Sequence, residues 1–172
     1  ITAGHSNKDP GAYANGFKEA ELVTEFRNIV AMKLSEKGHA VVTDGTGTTN
    51  LPLVTAAKLV KVSDLGVEFH FNAAVNKAAA GVEVIGLTDK TGVCQELAAA
   101  IAGVLDIPVR GNKGGYKHPR DTPHKTLGFC SAGGVIVEIC FISNPTEMAA
   151  YQAKKWLVAS AVVDVLDKWS QK

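Results

Sequence analysis

The sequence predicts an α/β protein, a three-layer sandwich with a central, mostly parallel (mixed) sheet flanked by helices. Three observations lead there. Short apolar stretches alternate along the chain with longer segments in which apolar residues recur at helical spacing. The best-defined strand, Val135-Ile-Val-Glu-Ile-Cys140, is almost continuously apolar, as a strand covered on both faces is. The length, 172 residues, suits one domain with a proper core, with no repeat, low-complexity tract or linker to divide it.

The elements follow in order. Ile1-Thr-Ala3 is short for a strand and reads as a trimmed start. After a Gly/Asn-rich stretch, a helix runs roughly from Lys18 to Glu36, with Leu22, Phe26, Ile29, Val30 and Leu34 on one face and Gly38 closing it. Ala40-Val-Val-Thr43 reads as a short buried strand, Asp44 to Asn50 as a loop, and Leu53 to Val62 as a second helix. Strands are expected at Val67–Phe71 and Gly81–Leu87, and an Ala-rich helix at Thr91–Leu105. Asp106 to Phe129 has no period, and a loop of that length is usually functional or mobile. Asn144-Pro-Thr146 ends the strand 135–140, and a last helix covers about Glu147 to Trp169.

Composition excludes several classes of partner. A net charge of +1 gives no basis for binding nucleic acid or an anionic membrane, and no apolar run approaches the ~20 residues of a membrane span. The expectation is a monomer. No signal peptide is read, since Ile1-Thr-Ala3 leads straight into Gly4-His5. Cys94, Cys130 and Cys140, odd in number and without CxxC spacing, read as buried hydrophobes.

In open α/β sheets, sites form beyond the carboxyl ends of strands. His5 lies just past the first apolar residues, His70 and Glu138 late in their strands, and Glu19 at the start of a helix that can reach the same edge. Two imidazoles and a carboxylate form a common catalytic zinc set, and Glu138 suits the carboxylate that moves the water's proton to the leaving amine. Taken singly, Glu19 serves a helix dipole and His70 a hydrogen-bonded core. Glu138 is harder to dismiss, because a carboxylate among Val, Ile and Cys needs a metal, a cation or strong hydrogen bonds. Spacing alone does not compel a zinc site.

Three blocks in order carry a resemblance. Ala-Gly-His-Ser-Asn-Lys-Asp-Pro-Gly-Ala (residues 3–12) with Asn15-Gly-Phe-Lys-Glu19, then Phe69-His-Phe-Asn-Ala73, then Val135-Ile-Val-Glu-Ile-Cys-Phe-Ile-Ser-Asn144, resemble the signatures of the amidase-3 family of N-acetylmuramoyl-L-alanine amidases. The resemblance spans nearly the whole chain. It implies that residues 1–172 are a single catalytic domain, with one zinc ion on His5, Glu19 and His70 and Glu138 as catalytic carboxylate. It also implies that the reaction is hydrolysis of the amide between N-acetylmuramic acid and L-alanine in peptidoglycan. The place of action implied is the cell wall, periplasmic or extracellular, and the lack of a leader fits a phage-type lysin made in the cytoplasm. Thr43-Asp44 stands where the family usually has Thr-Arg, and Thr55-Ala-Ala-Lys, Val62-Ser-Asp and Cys140 depart from its pattern as well, which marks a divergent branch such as a phage or prophage endolysin. The interval from His70 to Glu138 leaves no room for a long autoinhibitory insertion, so no activator is expected.

Two further sets of residues are candidates for substrate contact. In the long loop, Arg110, Lys113, Lys117, Arg120 and Lys125 gather with His118 and His124 against Asp121 alone, either as a solvated loop or as a groove wall in which Lys117 and Arg120 meet stem-peptide carboxylates. Asn72 and Asn144 flank the site residues, Asn144 as turn chemistry before Pro145 and Asn72 either as turn chemistry or as a substrate or orienting contact. Two rival readings are another zinc hydrolase, such as a carboxypeptidase or deacylase, and a wall-binding module with a decayed site; the four intact positions oppose the second.

Overall fold

A computed structural model describes residues 1–170; residues 171 and 172, the end of the expected domain, lie outside the described residues. The strands are β1 (Thr2–Ala3), β2 (Tyr13–Ala14), β3 (Phe17–Lys18), β4 (Val67–Asn72), β5 (Glu83–Ile85), β6 (Tyr116–Lys117) and β7 (Val135–Phe141). The helices are α1 (Glu19–Glu36), α2 (Leu53–Val60), α3 (Thr91–Leu105), α4 (Gly128–Ser131) and α5 (Pro145–Ser170). The central sheet has the order β1-β4-β7-β5-β6, and its pairings are parallel except that of β5 with β7. This is the mixed, mostly parallel sheet expected. β2 and β3 form a separate hairpin across a two-residue turn, Asn15-Gly16.

Alternation along the strands divides the sheet into two unlike faces. Val67, Phe69 and Phe71 of β4 join Val135, Val137 and Ile139 of β7 in the main core, which takes Phe26 and Val30 from α1, Leu97 and Ile101 from α3, and Val158 and Val162 from α5. Phe26 meets Phe69, and Phe71 meets Tyr151, edge to face at 4.8 Å between centroids. Truncating a ring such as Phe69 to alanine would cost roughly 3–5 kcal/mol. A smaller cluster of Ala56, Val60, Phe129 and Cys130 packs with Ile85 and Ile136, so only the short α2 and α4 contribute to it. The residues that alternate with the β4 core positions are Glu68, His70 and Asn72, and the site is built there.

Ala40–Thr43 is not a strand. It runs beside β1, where Val42 O accepts from the Ile1 ammonium at 2.8 Å, but the Ala3 N–H goes to the Asp44 carboxylate at 3.2–3.3 Å. A side chain has taken the donor that a backbone carbonyl would need for a ladder to form. α2 ends at Val60, and the amides of Val62 and Ser63 close turns instead of a helix. The span expected at Gly81–Leu87 keeps only Glu83–Ile85 as strand. The long loop is more ordered than its sequence suggests, since it contains β6, a 3-10 turn at Pro119–Asp121 and the start of α4. α5 begins at Pro145, with Asn144 Oδ1 accepting from the amides of Thr146 and Glu147. All three cysteines are free and buried; burial pushes the Cys94 and Cys130 thiols up to about 12 and Cys140 well above its ordinary value.

Candidate metal centre

Residues far apart in sequence converge at the carboxyl ends of β1 and β4. His5 follows β1, His70 lies in β4, and Glu19 is the first residue of α1. One ligand atom from each can be chosen so that all three lie within 4.8 Å of one another. His5 Nε2 and His70 Nδ1 both face Glu19 Oε1, at 3.0 and 3.1 Å. The other nitrogen of each ring meets a carboxylate: His5 Nδ1 with Asp9 Oδ2 at 3.0 Å, and His70 Nε2 with Glu68 Oε1 at 3.1 Å. Carboxylates behind imidazoles fix ring orientation and raise basicity, as metal-binding histidines require. Two imidazole nitrogens and one carboxylate oxygen, each ring braced from behind, form a donor set that fits zinc.

Electrostatics tie the three groups together. Burial acts to raise the Glu19 carboxyl, but hydrogen bonds with His5 and His70 outweigh it and hold the group well below the usual carboxylate range. Burial acts to lower both histidines, and the facing carboxylates outweigh it: His5 is raised, chiefly by Glu19, and His70 well raised, by Glu19 and Glu68. Glu19 also accepts from the amides of Phe71 at 3.0 Å and Ala12 at 2.9 Å, which pins it to both the sheet and the preceding loop.

Two glycines make room. A Cβ on Gly4 would stand 2.2 Å from His70 Cε1, so the ring lies against bare backbone. Gly11 has φ +66°, and a Cβ there would stand 2.7 Å from both Glu19 Oε2 and the His5 ring.

His5 itself has φ 66°, a left-handed conformation that costs a non-glycine residue about 1 kcal/mol. A network the sequence reading missed holds it there. Asn50 Nδ2 donates to the carbonyls of Ala3, Gly4 and His5 at 3.2, 3.0 and 3.1 Å. Arg27, fully buried in α1, donates through Nη1 to Asn50 Oδ1 at 3.2 Å and to Asp44 Oδ1 at 3.0 Å, and Asp44 takes the Ala3 amide. Asp44 read as a departure from a family pattern and Asn50 as loop composition, and neither spacing pointed to the other. Glu68 was missed as well, although its place two residues before His70 on a strand puts it on the same face.

Glu138 is next to His70 in register, and Glu83 is next to Glu138 on the other side, so His70, Glu138 and Glu83 form a level row across β4, β7 and β5. Glu138 Oε2 is buried without a hydrogen-bond partner. Burial, opposed by His70 and reinforced by Glu19 and Glu83, pushes this carboxyl up to about 7. Such a group holds and releases a proton near neutrality. Asn72 and Lys117 both donate to Glu83 Oε1, at 3.0 and 3.2 Å. Arg120 is exposed on the 3-10 turn.

Comparison with known proteins identifies the family. A family profile described as N-acetylmuramoyl-L-alanine amidase matches residues 1–168. A solved structure from Neisseria meningitidis, assigned as an N-acetylmuramoyl-L-alanine amidase, is 41% identical, with a TM-score of 0.88 over 97% of this chain and 92% of that one. An N-acetylmuramoyl-L-alanine amidase of Clostridium difficile 630 has a TM-score of 0.82 at 21% identity, covering 99% of this chain and 97% of its own. The catalytic domain of CwlV from Bacillus (Paenibacillus) polymyxa has 0.80 at 20%, covering 98% and 94%; at these identities the likeness is one of fold. No curated protein matches the sequence. By the extent of the profile match and the 41% identity over nearly its whole length, the chain belongs to the amidase-3 family of N-acetylmuramoyl-L-alanine amidases.

Proposed function

We propose that the chain is a zinc-dependent amidase in which His5, Glu19 and His70 hold the metal and Glu138 carries the proton, with residues 1–172 acting as one catalytic domain. The observation that carries this reading is Glu138 Oε2, buried, unpaired and directly beside His70 on the neighbouring strand. An orphaned carboxylate oxygen costs free energy in a purely structural role.

Zinc, when bound, supplies a Lewis acid that polarises the scissile carbonyl and acidifies water. The residues of the chain do the rest. Asp9 and Glu68 hold the two imidazoles in the tautomer that leaves His5 Nε2 and His70 Nδ1 turned inward. Glu138, buried beside His70, takes the proton of the attacking water and returns it to the departing alanine nitrogen. The amide bond breaks, and the products are a lactyl carboxylate and a stem peptide with a free L-Ala amino end.

The proposed partner is peptidoglycan, met at the cell wall by a monomer without nucleic acid or membrane and without an activator. Among the described residues no helix is long and apolar enough to cross a membrane. A phage or prophage endolysin is compatible with the family.

The test is Glu138→Gln, assayed for zinc content and wall lysis together. The variant retains one zinc per chain and loses lysis by about 100-fold to 10,000-fold, the usual worth of a general acid–base group. Loss of metal along with lysis would make Glu138 a ligand or a structural residue and overturn the assignment.

A further inference from the structure

Beyond Glu138 the polar row continues into a second cluster. Glu83 is buried and receives two cations: Lys117 Nζ lies 3.2 and 3.4 Å from its oxygens, and Arg110 Nε donates at 3.2 Å. Arg110 Nη1 also donates to Ala80 O at 3.0 Å, and its guanidinium lies 4.7 Å from the Phe141 ring centre. One carboxylate does not need two cations, and neither cation is used up. An ammonium has three donors and a guanidinium five, so each keeps N–H groups to offer. Both are about one-third exposed, and both line a cavity of ≈ 280 Å³ with Lys113 and Asp121. Three cations against two carboxylates leave that cavity positive.

The other side of the metal centre has a different character. There a larger cavity, ≈ 550 Å³, is lined by Ser6, Asn7 and Asn28 with Glu21 and Glu25, and its one cation, Lys18, is paired with Glu21 at 2.9 Å. Glu25 is paired in turn with Lys155, so that end offers hydroxyl and amide groups and no unpaired charge, which suits an uncharged glycan.

We infer that Lys117 and Arg110 form a carboxylate-binding subsite that receives the acid group on the second residue of the stem peptide, so that the peptide crosses β7 towards β6 while the glycan lies towards Asn7 and Asn28. This rests on the amidase reading above. The distances agree with it. Adjacent strands are about 4.8 Å apart, so Glu83 lies roughly 10 Å from the β4 line and 5 Å beyond Glu138. An extended peptide gains about 3.3 Å per residue, which carries an acid two residues past the scissile amide roughly 7 Å in that direction. Glu83 acts as a positioning residue, holding both cations in place through contacts that Asn72 completes.

The test uses soluble glycan–peptide fragments that differ only in a free carboxylate or a carboxamide on the second residue. For the wild type, kcat/KM is at least tenfold higher for the free acid. In Lys117→Met that ratio falls to about 1 through a higher KM for the acid, with kcat and zinc content unchanged, and Lys117→Arg restores most of it. A wild type that handles both fragments alike, or a Lys117→Met that keeps the preference, overturns the subsite and leaves the amidase reading intact. Failure to cleave either fragment, or intact wall, overturns the amidase reading and the subsite with it.

Discussion

The two histidines of the candidate metal centre are asked for the same geometry and achieve it by different means. His70 sits inside β4, where parallel ladders to β1 and β7 fix its backbone and strand alternation turns its ring to the same side as Glu68. His5 sits on a loop just past a two-residue strand, in a left-handed conformation, and is held by side chains reaching from elsewhere: Asn50, backed by Arg27 and Asp44. One histidine is placed by secondary structure and the other by a buried polar network. A ladder is redundant, since each bond lost leaves others. A network with a single arginine at its centre is not.

Breaking that network separates the two cases. The largest effect is expected for Arg27→Met, which leaves Asp44 buried without its cation; urea unfolding should show a loss of about 3–5 kcal/mol. A loss below 1 kcal/mol would mean that the loop 44–50 holds without the arginine. Asn50→Ala is gentler on the fold, at about 1–3 kcal/mol, but it frees the three carbonyls around His5. Zinc affinity, measured by chelator competition, should fall roughly 10- to 100-fold, whereas Glu68→Gln on the His70 side should stay near the lower end of that range. Equal losses in the two variants would erase the contrast.

The smallest effect is a difference in titration. In metal-free protein followed by NMR of the ring protons, His70 should keep its second proton to higher pH than His5, because the buried Glu68 supports it where His5 has the exposed Asp9. Both values are raised on folding. The stability these pairs contribute is therefore full below the ordinary histidine value near 6.5 and is lost as pH rises through the folded values, His5 first. The reverse order would assign the stronger brace to Asp9.

What could be read from the sequence follows the same division. Glu138 was legible because a carboxylate in an apolar strand stands out, and strand direction placed His70 at the same edge without giving it a role. His5, Glu19 and His70 needed the ordered motif to be read as one set, since a histidine on a loop carries no periodicity and one on a strand reads equally as core. Lys117 was singled out by charge density alone, which selected Arg120 equally; only the pairing of β6 with β5 separates them, and two-residue strands leave no pattern to read. The Arg27–Asp44–Asn50 network was illegible for a related reason. It joins a helix interior to a loop through side chains, and no rule of spacing links them. Ala40–Thr43 failed as a strand because Asp44, a neighbour in sequence, took the hydrogen bond that strand required.

The three buried cysteines have a practical consequence. A thiol held protonated is a poor nucleophile, so in the native protein none of Cys94, Cys130 and Cys140 should form mixed disulfides or take up alkylating reagents at neutral pH. Two of them lie in the main core and Cys130 in the small cluster shared with α2 and α4. Under oxidising conditions its thiols are silent while the chain is folded. When it opens, the order in which the thiols become reactive reports which face of the sheet is uncovered first.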